Sequence, residues 1–129
     1  MTGPELAGLL QEASFGEWES LQSALKRADG QPPPRVGWLV THLSVTKREY
    51  WKLVRGALGT PSPPPELDLA GLCRWELETT SGLEAGQLDT MLLHSGRALT
   101  VAGLLRLNAR HTVWHAGQIA ALCSGPRLA

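Results

Sequence analysis

Two proline clusters, Gln31-Pro32-Pro33-Pro34 and Gly59-Thr60-Pro61-Ser62-Pro63-Pro64-Pro65, cut this chain into stretches that no single helix can bridge. Consecutive prolines supply no amide donors, so neither a helix nor a strand ladder runs through them. Between these breaks the apolar residues recur at helical spacing, and no segment shows sustained strand alternation. Thr2 and Glu5 form a capping-box pattern, and Leu6, Leu9, Leu10, Ala13, Trp18, Leu21 and Leu25 predict a first helix reaching about Arg27. Pro34 is placed to open a second helix. That helix is expected from Val36 to about Leu58, with Leu39, Leu43, Tyr50, Leu53 and Val54 on one side and Lys47, Lys52 and Arg55 on the other.

A third helix is expected to start near Glu66 and fade through Thr79-Thr80-Ser81-Gly82, on the stripe Leu69, Leu72, Cys73, Leu77. Residues 83–99 fit a short helix or a packed loop equally well. Thr100 is the expected N-cap of the last helix, which carries Val101, Leu104, Leu105, Ile119 and Leu122 before Gly125-Pro126 ends it. The chain therefore reads as one all-α domain over residues 1–129, a four-helix bundle. The second proline cluster adds a topological expectation. At about 3.1 Å per residue an extended proline-rich strap from Gly59 to Glu66 covers roughly 25 Å, enough to let the second and third helices run parallel. The bundle order is then up-down-down-up.

Composition narrows the function. With 129 residues, 43% hydrophobic and 19% charged, the chain can bury a core without disulfides. Twelve basic and twelve acidic residues give zero net charge, so there is no surplus of cations for nucleic-acid phosphates. Cys73 and Cys123 lack any CxxC spacing and read as ordinary thiols of a reducing compartment. With no basic, cleavable leader pattern and no apolar run of membrane-spanning length, a cytoplasmic protein without membrane contact is expected.

The informative residues are polar ones on faces that should be core. The last helix places Leu104, Asn108, His111, His115, Gln118 and Leu122 on one line, and the second helix places Leu39, His42, Thr46, Glu49 and Leu53 on another. Burying such groups unpaired costs roughly 1–3 kcal/mol each, so the fold must supply partners, water or a metal. His111 and His115, four apart, reach the same point, and His42 from a facing helix completes a three-histidine set with a coordination position left open. Imidazole donors suit zinc, nickel, copper or iron. The competing reading is a seam of satisfied core histidines. The motif His-Thr-Val-Trp-His lacks the glutamate of HExxH, which excludes that metalloprotease class.

Around this set, Glu49 is the candidate proton carrier, or else a surface carboxylate pairing with Lys52 or Arg55. Gln118 is the candidate to orient a ligand ring or a bound molecule, or else merely a bridge between helices. Trp38 and Trp114 are candidate walls of a small-molecule pocket, or else simple packing aromatics. His94, in the phrase HSGRALT, is expected to be exposed.

The phrases GWLVTHLSVTKREYW and GRALTVAGLLRLNARHTVWHAGQI together resemble the DinB/YfiT superfamily over most of the chain. The resemblance implies a four-helix bundle of up-down-down-up order, often homodimeric, with a divalent metal on His42, His111 and His115 and with Gln118 as the glutamine of the terminal motif. It further implies metal-dependent hydrolase chemistry, or transferase and isomerase chemistry with a low-molecular-weight thiol such as mycothiol or bacillithiol. A non-catalytic metal-binding or small-molecule-binding module is the alternative.

Overall fold

The computed structural model describes residues 1–30 and 32–124. Among them the chain forms helices α1 (Gly3–Phe15), α2 (Leu21–Arg27), α3 (Pro34–Leu58), α4 (Leu69–Ser81), α5 (Ala85–Leu88) and α6 (Val101–Ser124). A hairpin of β1 (Met91–His94) and β2 (Arg97–Thr100) stands before α6. The all-α class holds, with this one small sheet added. The expected stop at Gly125-Pro126 lies outside the described residues.

The expected first helix is two helices. Thr2 and Glu5 do form the capping box, but α1 ends at Gly16, whose amide donates to the Glu12 carbonyl. A Cβ at Gly16 would meet that same oxygen at 2.6 Å, so the close exit requires glycine. Ser20 and Ser23 then cap each other and restart the helix. Trp18, assigned to the helical stripe, falls in the break and is 78% exposed.

Helix α3 opens on Pro34 as expected, and Gly59 closes it at φ 73°, a left-handed cap natural to glycine. The proline strap then folds back along α3. The Arg48 guanidinium donates to the carbonyls of Pro64 and Leu67 at 3.1–3.2 Å, and Arg55 reaches Ser62. Asp68 caps α4 by accepting from the Gly71 amide at 2.8 Å.

Contacts between α3 and α4 advance together along both helices. Leu69 and Cys73 pack with Leu39 and Leu43, Glu76 bonds Lys47 and Trp51, and Leu83, just past α4, packs with Val54. The two helices therefore run parallel, as the strap length suggests. Helix α6 runs the other way along α3, with His115 against His42 and Asn108 against Lys47.

Residues 83–99, left open between a short helix and a loop, hold the short α5 and β1 with part of β2. Strands of four residues are too short for alternation to register. The deciding signal is Ser95-Gly96, both at positive φ (51° and 78°), the two-residue turn that matches strand twist. It pairs His94 with Arg97 and Leu92 with Leu99. Thr100 caps α6 by accepting from the Gly103 amide at 2.9 Å.

One charged residue lies opposite to expectation. Lys47, placed with Lys52 and Arg55 on the outer face, is 0% exposed. Its ammonium donates to Glu76 Oε1 at 2.6 Å and to Asn108 Oδ1 at 3.0 Å. Glu76 Oε2 accepts from the Trp51 indole at 2.8 Å and also from the Asn108 amide. Three helices thus share one buried, mutually satisfied polar knot, with Lys47 and Glu76 as its ion pair. Cys73 is buried and Cys123 half-buried, both free. Burial pushes the Cys73 thiol up, which makes it a packing residue. Among the described residues no helix is long and apolar enough to cross a membrane.

Candidate metal centre

The polar knot fixes α3 against α6 one turn from the histidines, since Asn108 precedes His111 by three residues and Thr112 bonds back to the Asn108 carbonyl at 2.9 Å. Above it, His42 from α3 and His111 and His115 from α6 converge. One ligand atom from each lies within 4.8 Å of the others, so the three could hold a metal ion. All three side chains are half-buried.

The nitrogen positions can accommodate an ion. His115 Nδ1 lies 2.6 Å from Gln118 Oε1, an acceptor, so Nδ1 carries the proton and the Nε2 lone pair is free. That lone pair faces His111 Nε2 at 3.0 Å. Two nitrogens each about 2.0–2.1 Å from one cation stand about 2.8–3.4 Å apart for angles between 90° and tetrahedral. A proton on His111 Nε2 shared with His115 fits this distance as well, and His111 Nδ1 stays unpartnered in either arrangement, as a donor beside an ion or as an acceptor without one. That atom is buried and has no hydrogen-bond partner.

Electrostatics point the same way. Burial first, and then repulsion from His115, His42 and Lys47, pushes His111 down to about 4. It is therefore neutral across the physiological range, the form in which imidazole binds metals.

The rim of the centre is aromatic. Trp38 stacks flat on His42 with ring centroids 5.0 Å apart, and the Arg35 guanidinium lies 4.1 Å from the Trp38 ring on its way to solvent. Trp38 is 51% exposed, as a wall of an open site would be. Trp114 is placed elsewhere. It is 70% exposed and lines a separate groove with Leu9, Trp18 and Val113, between α1 and α6. Gln118 Oε1 meets the His115 ring at Nδ1, and its side chain is exposed rather than inward-facing.

Glu49 is exposed and stands outside the histidine group. It lines a cleft of about 580 Å³ between α3 and the hairpin, together with Thr46, Tyr50, Lys52, Leu53 and His94. No ion pair joins it to Lys52 or Arg55 among the described residues.

Two residues of this cleft are absent from the sequence-derived set. Tyr50, taken for simple core, packs edge-on to His111 at 6.1 Å and to His94 at 5.5 Å. His94 is half-buried rather than exposed, because the tight hairpin turns it inward against Tyr50. The sequence does carry a signal for Tyr50, since it follows Thr46 by four on the same polar line as His42. Burial pushes its phenol up, which keeps it a neutral hydrogen-bond donor.

No family model, curated protein or solved structure matches the chain.

Proposed function

We propose that the chain is a metal-binding protein of the DinB/YfiT type that acts on a small molecule, as a metal-dependent hydrolase or a thiol-dependent S-transferase. The observation that carries this reading is the approach of His111 Nε2 and His115 Nε2 to 3.0 Å with His42 across from them. An up-down-down-up bundle is supported by the parallel advance of α3 and α4 and the opposite run of α6. Zinc or nickel is the metal assigned to this reading, and an all-imidazole donor set suits both. When bound, such an ion supplies a lowered pKa for water or a substrate thiol and polarises a carbonyl.

The chain's own residues prepare that chemistry. Gln118 fixes the tautomer and orientation of His115, burial keeps His111 unprotonated, and Trp38 shields one side of His42. Glu49, on the open wall of the adjoining cleft, is the residue assigned to exchange protons with solvent. Elemental analysis of protein purified without an affinity metal is expected to give about one zinc or nickel per chain. Metal-free protein recovered from metal-replete cells would overturn the reading. A non-catalytic module that uses the metal to tie α3 to α6 is the second reading, favoured by the placement of the ligands on two helices.

We propose further that a second copy of the chain covers the groove of Leu9, Trp18, Val113 and Trp114. Its α1 side and adjoining loop carry Glu12 and Glu19, and its α6 side carries Arg106 and Arg110. A two-fold axis along the groove sets each acidic wall against a basic one. Light scattering at micromolar concentration is expected to give a dimer that Trp114→Glu converts to monomer. A wild-type monomer would exclude it.

A further inference from the structure

The cleft beside the histidines contains an unpartnered polar group that the metal centre does not explain. Tyr50 is 6% exposed, its ring held between His94 and His111. Its hydroxyl has no hydrogen-bond partner among the described residues, and it is absent from the buried polar atoms sealed from solvent. The hydroxyl therefore meets the open volume of the cleft that Tyr50 lines. An immobilised tyrosine that presents its hydroxyl to a cleft is a positioned donor for whatever occupies that cleft.

The surrounding chemistry names a ligand class. Glu49, Tyr50, Leu53 and Gly56 lie three, four, seven and ten residues after Thr46 along α3, so the trough extends about 15 Å away from the His42 turn. Its polar lining can donate from the Tyr50 and Thr46 hydroxyls, the Lys52 ammonium and the His94 ring, and Glu49 is its one carboxylate. Donors converging beside a cationic centre fit an anion with planar oxygen acceptors.

We propose that this trough is the ligand subsite of the histidine centre, that it takes a small carboxylate whose other end binds at the metal, and that Tyr50 orients the ligand by donating its hydroxyl to the carboxylate. The proposal rests on the metal-binding reading above. Tyr50 ties the trough to the histidine centre, since it lines the trough and its ring lies 6.1 Å edge-on from that of His111, and Thr46 lines the trough one turn beyond His42. His94 buttresses the tyrosine ring from the hairpin side, and Lys52 meets the carboxylate at the solvent rim.

The test uses cobalt-loaded protein, whose visible spectrum reports on the metal, and two probes that share an azole head. 4-Methylimidazole has no acceptor for Tyr50, and imidazole-4-acetate carries a carboxylate. In wild type the carboxylate probe is expected to bind about tenfold more tightly, the scale of a hydrogen bond to a charged group. Tyr50→Phe is expected to reduce that advantage to about twofold while leaving the cobalt spectrum and 4-methylimidazole binding unchanged. Lys52→Gln, on the exposed rim where folding is not at stake, is expected to lower the same ratio about threefold. An undiminished advantage in both variants, with the cobalt spectrum intact, overturns the subsite alone. Absence of any cobalt spectrum in wild type overturns the metal reading and this proposal with it.

Discussion

Replacing Lys47 by Met is expected to destabilise the protein by about 3–5 kcal/mol, the usual cost of leaving one partner of a buried ion pair uncompensated. In a chain of this size that corresponds to a fall in melting temperature of roughly 10–20 °C. The methionine fills nearly the same volume, so the loss measures charge and hydrogen bonding rather than a cavity. Glu76 would remain 1% exposed with only the Trp51 and Asn108 donors to face it. Adding Glu76→Gln removes the stranded charge while keeping an acceptor for the indole, so the double variant is expected to melt above Lys47→Met alone. Thermal denaturation followed by circular dichroism reads all three. A Lys47→Met variant as stable as wild type would mean that the ammonium contributes nothing net to the fold.

That knot shows where pattern reading succeeds and where it stops. Lys47 follows Leu43 by four and precedes Tyr50, Trp51 and Val54 by three, four and seven, so its phase on α3 is that of the core. Glu76 holds the same phase on α4, three and four residues after Cys73 and Leu72. Residue type spoke against burial at both positions, and only the pairing of two distant charges makes it affordable in free energy. A single chain read linearly does not say which carboxylate meets which ammonium. Histidine is different, because imidazole is half apolar and its inward phase is credible residue by residue. The convergence of His42, His111 and His115 could thus be read directly from helical spacing.

Local chemistry explains the other departures. The break after α1 depends on one glycine and a serine pair, Gly16 and Ser20 with Ser23, within a stretch whose apolar residues otherwise keep helical time. The hairpin depends on Ser95-Gly96. Both are decided by two or three residues, below the span over which periodicity accumulates. The hairpin matters for the site, because it brings His94 against Tyr50 and so closes the cleft. By contrast the strap was legible in outline, since proline stiffness sets its reach without reference to the rest of the fold. What could not be read was its anchoring by Arg48, whose guanidinium donates to the four carbonyls of Pro63, Pro64, Pro65 and Leu67.

Removing the metal is expected to lower the melting temperature, and the size of the effect follows from linkage. A ligand that binds only the folded arrangement stabilises it by RT ln(1 + [L]/Kd), about 2.7 kcal/mol at a hundredfold excess over Kd. For this chain that is a shift of roughly 8–13 °C on adding zinc or nickel to chelated protein. The set spans two helices, so His42→Ala leaves two donors on α6 alone, and His111→Ala or His115→Ala leaves one donor on each helix. Each change is expected to abolish most of the metal-dependent shift. His111→Ala has a second, opposite consequence. It removes a buried ring whose Nδ1 lacks a partner, so the metal-free variant is expected to lose less stability than a buried aromatic truncation normally costs. Gln118→Leu keeps the three ligands but frees the His115 ring, and is expected to weaken metal binding about tenfold or more. His94→Ala is expected to keep the full shift, because its ring belongs to the cleft and not to the ligand set. If the centre is catalytic, the three ligand variants lose turnover at temperatures where circular dichroism shows them folded. Equal melting of metal-loaded and chelated wild type, with unchanged metal content in the ligand variants, would reduce the histidines to a structural seam and end the enzymatic reading.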